Sequence, residues 1–339
     1  MEFTDVLMQF GLFSAKALVI VLAISAILLL IALLAAKAQD KPEIEIELLH
    51  KKYKLFGKIL KNAALTKEEL KEERKKAKKT EKEQKKEHLR KIFVIDFDGD
   101  IKASAVDHLR QEITAVLNVA TPQDEVVVRI ESPGGVVHGY GLAASQLLRV
   151  REKNIPLTVC VDKVAASGGY LMSCTANKIL CAPFAIVGSI GVVAQIPNFH
   201  RVLKKHDVDY KEYTAGEFKR TVSLLGEITD KGEEKFKEQL EATHRLFKSF
   251  VQKNRPQLDV AKVATGEYWY GEDAKNLGLV DEIRTSDDYL LSQSDTNQIL
   301  KISFAKKQKL ADKLSNVLGK AAYSAVLKVV DDLERKTFV

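Results

Sequence analysis

Val159-Cys160-Val161-Asp162-Lys163-Val164-Ala165-Ala166-Ser167-Gly168-Gly169-Tyr170 stands near the middle of the chain and passes from an apolar run through a break of small residues. Leu157 to Val161 is apolar and β-branched, the pattern of a buried strand. Tyr170 to Ala176 has residues that can start a helix. A serine between a buried strand and a helix N-terminus lies among backbone N–H groups that lack partners and carry partial positive charge. Such ground suits a nucleophile, because donors for an oxyanion lie beside the attacking oxygen. The two glycines permit close approach and unusual backbone angles. Ser167 can equally serve as a plain helix cap, so the surrounding chain has to decide.

The same strand, turn and helix recur on either side. Ile92 to Phe97 reads as a strand, and 105–119 as a helix with Val106, Leu109, Ile113, Val116 and Leu117 on one face. Glu125 to Ile130 is the next strand, ending in the turn-rich Glu131-Ser132-Pro133-Gly134-Gly135-Val136-Val137-His138-Gly139, with a helix over 140–152 beyond it. A short strand falls at 178–182. This alternation with short connections predicts an α/β fold, a parallel sheet covered by helices. Sites in such folds gather at the C-terminal ends of strands, where both glycine turns fall.

Beyond it, 184–196 is apolar and broken by Gly188 and Gly191; it is too short to span a bilayer and reads as core. A helix is expected over 198–206, strand and loop over 210–221, and a long amphipathic helix over 229–255 with Phe236, Leu240, His244, Phe247 and Val251 on its apolar side. Residues 264–283 close the domain. From Ser286 a polar stretch leads to a basic amphipathic tail over 302–336, suited to a membrane, the domain or a partner subunit.

The N-terminal part differs in kind. Ala17 to Ala36 contains no charge and, as a helix, spans about 30 Å, the thickness of a bilayer core. It is too long for a signal peptide, and its leader has only Lys16 as a basic side chain, so a retained anchor is expected. Lysine and glutamate dominate from Lys51 to Lys91, with almost no apolar stripe; this suits a charged spacer or an arm resting on anionic lipid. From Thr66 to Glu87 no aromatic residues are interleaved for base stacking, which argues against nucleic acid. Much of the net charge of +7 comes from this stretch. The expected organisation is thus an anchored segment (1–36), spacer (37–91), catalytic-type domain (92–285) and helical tail (286–339). Lys37, Lys41, Lys51, Lys52 and Lys54 after the anchor favour a cytoplasmic domain. Cys160, Cys174 and Cys181 are odd in number, lie in apolar surroundings and have no metal-binding spacing.

Seven histidines are available as bases. His50 and His88 fall in the spacer, His108 and His244 on helices away from the turns, and His200 and His206 on a surface helix. His138 follows a glycine turn, but no well-placed acid supports it. A lysine is the other option, if burial lowers its pKa enough for it to be neutral. Lys219, between Phe218 and Arg220, is unlike the solvated lysine runs elsewhere, though a surface role fits it as well.

Ser132-Pro133-Gly134-Gly135, Ala165 to Tyr170, Gly188-Ser189-Ile190-Gly191-Val192, Lys219 and the Thr265-Gly266-Glu267 to Glu282 segment occur in order. Together they resemble the signal peptide peptidase A family of serine peptidases, on the fold shared with Clp protease and crotonases. The anchor, the spacer and Thr-Ala-Gly-Glu-Phe-Lys-Arg-Thr (214–221) resemble its SohB-type members of the bacterial inner membrane. The resemblance covers Ile92 to Ile283. It implies Ser167 as nucleophile, Lys219 as general base, Ser189 positioning the Lys219 amine, and backbone N–H groups of Gly134 and Gly168 as the oxyanion hole. It implies no cofactor, peptide or membrane-protein substrates such as signal-peptide remnants, and a homo-oligomer in which neighbouring protomers share the dyad. Two features depart from the family: charges that favour a cytoplasmic domain, and the large Phe218 and Arg220 beside the lysine. A crotonase-like acyl-CoA enzyme and a non-catalytic membrane scaffold remain as alternatives.

Overall fold

The computed structural model describes residues 44–73 and 89–304, with scattered residues between 11 and 25. In chain order the elements are β1 (Ile44–Leu48), α1 (Leu49–Ala64), β2 (Lys91–Asp98), α2 (Val106–Leu117), β3 (Glu125–Glu131), α3 (Val137–Glu152), β4 (Leu157–Val161), β5 (Val164–Ala166), α4 (Gly168–Ser173) and β6 (Lys178–Cys181). They continue with β7 (Ile186–Gly188), α5 (His200–Lys205), α6 (Asp230–Asn254), α7 (Val260–Val263), β8 (Tyr268–Tyr270), α8 (Gly271–Asn276), β9 (Glu282–Ile283), α9 (Ser286–Gln293) and β10 (Gln298–Phe304).

The main sheet has the order β1-β10-β2-β3-β4-β6-β9 and is parallel except for β1, which runs antiparallel to β10. Its central strands are buried nearly end to end because side chains on both faces are covered. Phe93, Ile95, Phe97, Val126, Val128 and Ile130 meet the core under α2, α3 and α4. On the other face Ile92, Val94, Val127, Cys160 and Ile299 pack with Leu49 of α1 and with Tyr289 and Leu290 of α9. A second sheet, β5-β7-β8, stands beside it.

One ion pair ties the end of α6 to the loop before β9. Arg255 is 2% exposed and donates to both carboxylate oxygens of Asp281, at 2.9 and 2.8 Å, and to the Gly278 carbonyl. The Tyr170 hydroxyl of α4 donates to the Leu279 carbonyl at 2.9 Å, so the same loop also supports the helix that follows Ser167.

The strands, helices and mainly parallel pairing expected from the sequence are present, with three differences. First, the compact unit is Ile44–Phe304, wider at both ends than 92–285. Ile44-Glu45-Ile46-Glu47-Leu48, in the expected spacer, is an edge strand, and α1 follows it. β10 falls in the expected tail, yet it lies between β1 and β2. Second, the apolar run 184–196 is core only from Ala185 to Ile190, with Phe184 exposed before it. Val193 is 81% exposed, because the chain leaves the small sheet after β7. Third, 210–221 contains turns and no strand. The tail beyond 304, most of the Ala17–Ala36 run and spacer residues 74–88 lie outside the described residues. Among those described, no helix is long and apolar enough to cross a membrane. Cys160, Cys174 and Cys181 are free and buried, and burial pushes each thiol well above its ordinary range.

Glu112 of α2 is buried and accepts from the Phe304 N–H at 2.8 Å. Burial raises its pKa from 4.5 to about 7, against the lowering effect of that hydrogen bond. The folded state therefore holds a proton that the unfolded chain releases between those two values, and this contribution to stability falls as pH rises through that window. Glu112→Gln keeps an acceptor for Phe304. It should raise Tm at pH 8 by a few degrees, on the scale of about 2–4 °C per kcal/mol, and change it little at pH 4.5. Thermal melts of both proteins at the two pH values check this.

Candidate active site

Ser167 links β5 to α4 with φ 50° and ψ −113°, in the left-handed region that non-glycine residues seldom occupy. Such a conformation costs on the order of 1–3 kcal/mol and persists only where neighbours enforce it. Here they do. The Ser167 N–H donates to the Gly188 carbonyl at 2.8 Å, and its own carbonyl accepts from Leu171 at 2.9 Å. β5 pairs with β7 on one side. On the other, the Ser132 N–H donates to Val164 at 2.8 Å and the Ala166 N–H to Ser132 at 3.0 Å. A strand of three residues thus draws the turn after β3 and the turn after β7 to Ser167.

The two glycine turns meet with no room for side chains. A Cβ added to Gly134, whose φ is +91°, would lie 2.7 Å from the Ser167 Cβ and 2.9 Å from the Gly168 nitrogen. One added to Gly168 would lie 2.3 Å from Cγ of the Tyr140 ring. The Gly134 N–H donates to the buried Ser132 Oγ at 3.1 Å. The N–H groups of Gly135 and Gly168 have no partner among the described residues. The result is a half-buried serine hydroxyl beside unpaired backbone donors, an arrangement able to hold negative charge on an oxygen bound next to Ser167.

Ser189 directly follows the carbonyl that holds Ser167. Its φ is 51°, its N–H donates to Glu267 at 2.7 Å, and its Oγ makes a long 3.5 Å contact with the Gly266 carbonyl. Ser167, Ser189, Gly134 and Gly168 are therefore neighbours. Lys219 is not joined to them: it is exposed, and no hydrogen bond or ion pair among the described residues links it to Ser167 or Ser189. Its segment folds on itself and on the first turns of α6. Asn198 Nδ2 donates to the Ser223 and Gly226 carbonyls, Lys231 pairs with Glu217, and the Phe218 ring lies 5.6 Å from Lys231 Nζ and 5.3 Å from Lys235 Nζ. α6 itself is about 37 Å long, with only Val251 buried. His138 is exposed. His244, which the sequence set apart from the turns, has Nε2 3.2 Å from the Ile190 carbonyl, one residue beyond Ser189. Ser132 and Tyr140 carried no chemical signal in the sequence, yet both are fully buried against the glycine turns. Among the described residues no group of three His, Cys, Asp or Glu side chains is placed to hold a metal ion.

Two family models match the chain: Peptidase family S49 N-terminal over residues 5–147 and Peptidase family S49 over residues 149–300. The chain is 49% identical over 341 residues to the Probable protease SohB of Haemophilus influenzae, with 96% of each covered. It is 46% identical over 332 residues to the Probable protease SohB of Buchnera aphidicola subsp. Acyrthosiphon pisum, covering 96% of this chain and 98% of the relative. Among solved structures it is similar to the 1510-N membrane-bound stomatin-specific protease, at TM-score 0.40 and 15% identity over 61% of this chain and 86% of that one. A second form of the same protease, with a substrate peptide, matches at TM-score 0.42 and 13% identity over 68% and 99%.

Gly134→Ala should be poorly tolerated, since the methyl meets Ser167 and the alanine must hold a positive φ. The expected outcome is a loss of Ser167 reactivity of about 100-fold or more, the scale of a lost oxyanion donor. Gly141→Ala, on the open side of α3, should leave reactivity unchanged, because nothing lies within 4 Å of its added Cβ. Rates of labelling by a serine-directed phosphonate, with Tm measured alongside, check both.

Proposed function

The chain belongs to peptidase family S49 and is a peptidase; from that premise we propose a membrane-anchored serine endopeptidase in which Ser167 attacks and Lys219 is the general base. The observation that carries this reading is the strained Ser167 turn, packed against Gly134 and followed by the unpaired Gly168 N–H. Neutral Lys219 takes the Ser167 proton as Oγ bonds to the scissile carbonyl carbon, and Ser189 orients the amine. The oxyanion is held by the Gly168 N–H and the Gly134-Gly135 turn. Gly135 has the free N–H there, whereas that of Gly134 is shared with Ser132. Lys219 returns the proton to the leaving amine as the C–N bond breaks. Water, activated by the same lysine, then releases the acyl group. No cofactor enters these steps.

A lysine acts as a base only in its neutral form, which burial favours. Lys219 has to be buried to serve, and a second copy of the chain is the proposed cover. In support, the segments around it leave Val193, Phe199, Tyr213 and Leu224 exposed, at 81, 49, 89 and 52%. In this reading the dyad is completed between protomers of a homo-oligomer.

The Ala17–Ala36 run makes the protein a single-pass component of a bacterial inner membrane, with peptides and remnants of membrane proteins as substrates. Lipid contact is further supported by α1. Leu55, Phe56, Ile59 and Leu60 are more than half exposed beside Lys51, Lys54, Lys58 and Lys61, the composition of a helix that lies on anionic lipid.

The test is labelling of the detergent-solubilised protein with a serine-reactive acylating probe. Wild type should react, and Ser167→Ala and Lys219→Ala should not. Labelling that survives loss of Lys219 would assign the base elsewhere. If protomers share the dyad, mixing the two silent variants and allowing subunits to exchange should restore roughly a quarter of wild-type activity, the share of sites that pair an intact serine with a neighbour's intact lysine. Mixtures that stay silent would put both residues in one subunit.

A further inference from the structure

The buried hydroxyls behind the two glycine turns form a chain with only one possible direction. The Asp100 carbonyl can only accept, and it takes the Tyr140 hydroxyl proton at 2.8 Å. The Gly134 N–H can only donate, and it gives to Ser132 Oγ at 3.1 Å. Ser132 Oγ and Tyr140 Oη lie 2.5 Å apart between them, so the Ser132 proton must point to Tyr140. The sequence of donors is Gly134 N–H, Ser132 O–H, Tyr140 O–H. Hydrogen bonds aligned head to tail in a dry interior reinforce one another, and both side chains are fully buried.

The Tyr140 ring does a second job. Gly168 lies flat on it, close enough that an added Cβ would be 2.3 Å from Cγ and 2.7 Å from both Cδ atoms. Phe97 meets the ring edge-on at 6.1 Å, and Gly99 leaves no space beside the hydroxyl: its added Cβ would lie 2.6 Å from both Ser132 Oγ and Tyr140 Oη. One side chain thus touches both turns, the Gly168 backbone through its ring and the Gly134 backbone through Ser132. A phenylalanine would fill the ring's space without bringing a polar group that must be satisfied when buried. The hydroxyl's contribution is the tie to Ser132.

We infer that Tyr140, acting through Ser132, is a positioning residue that fixes the Gly134-Gly135 turn against the Gly168 backbone on either side of Ser167. The inference rests on Ser167 being the nucleophile. It adds a requirement that the dyad does not contain: the glycine turns come from different strands, and their mutual position is held by a hydroxyl chain reached from α3.

The test uses the full-length protein with three variants: Tyr140→Phe, Ser132→Ala and the double variant. Each single change should lower kcat on a peptide substrate by about 10–100-fold, per site titrated with the serine probe, with KM within about twofold. The double variant should be no slower than the worse single one, since both break the same chain. Hydrogen–deuterium exchange at the Gly134 amide should rise in Tyr140→Phe. Unchanged kcat per titrated site, or losses that multiply in the double variant, would overturn the inference, even where Tm falls. If the wild type does not react with the probe, the nucleophile assignment fails. The Gly134 exchange rate then decides the positioning claim alone: unchanged exchange in Tyr140→Phe overturns it, and faster exchange keeps the Tyr140–Ser132 tie.

Discussion

Close approach of bare backbone is the constraint from which the rest of this structure follows. The chain around Gly134 and the chain around Ser167 and Gly168 come nearer than a single methyl group would allow. Neither turn achieves this alone. β5 holds them by pairing with Ser132 on one edge and with β7 on the other. Behind β5, the parallel strands β2, β3 and β4 are buried on both faces and fix where each turn begins. The positive φ of Ser167 is tolerable because hydrogen bonds on both its sides resist relaxation. Sheet, turn and helix are thus consequences of one another at this point, and the chemistry of a serine hydroxyl becomes available as a by-product of packing.

Much of the fold was legible in the sequence because the central strands are short, apolar runs that end in glycine turns. Where the signal was local, as at Ile92–Phe97 or Leu157–Val161, the expected strand is present. The edge was not legible. β1 is an alternation of glutamate with isoleucine or leucine beside a lysine-rich helix, and β10 lies in a stretch that reads as the start of a tail. Their pairing joins opposite ends of the unit, and nothing within either segment announces it. The 184–196 run misled for the opposite reason: composition reported apolar residues, but only the first half has a sheet to pack into.

The candidate site divides along the same line. Ser167 and the glycines are visible because small residues at a strand end leave a recognisable pattern. Tyr140 and Ser132 are ordinary residues whose importance comes from where α3 and the β3 turn deliver them. Lys219 is a third kind of case. Its neighbours in sequence suggested it, yet within one chain it is exposed and no hydrogen bond or ion pair among the described residues joins it to the Ser167 turn. His244 shows how a helix that looks remote in sequence can reach the site's border: it lies in the second half of α6, where Phe247, Phe250 and Val251 join the core.

In the outermost ladder of the sheet, Ile44 stands opposite Phe304. The compact unit therefore starts and finishes at adjacent points, and this one pairing closes a loop containing the whole of it. Among the described residues such a contact carries the largest loop-closure entropy, and pairings of this separation are slow to form. During synthesis at about 5–20 residues per second, β1 leaves the ribosome first and waits, unpaired, until β10 has emerged. Its alternating glutamates are well suited to that interval, because an edge strand that carries charge does not pair readily with another chain.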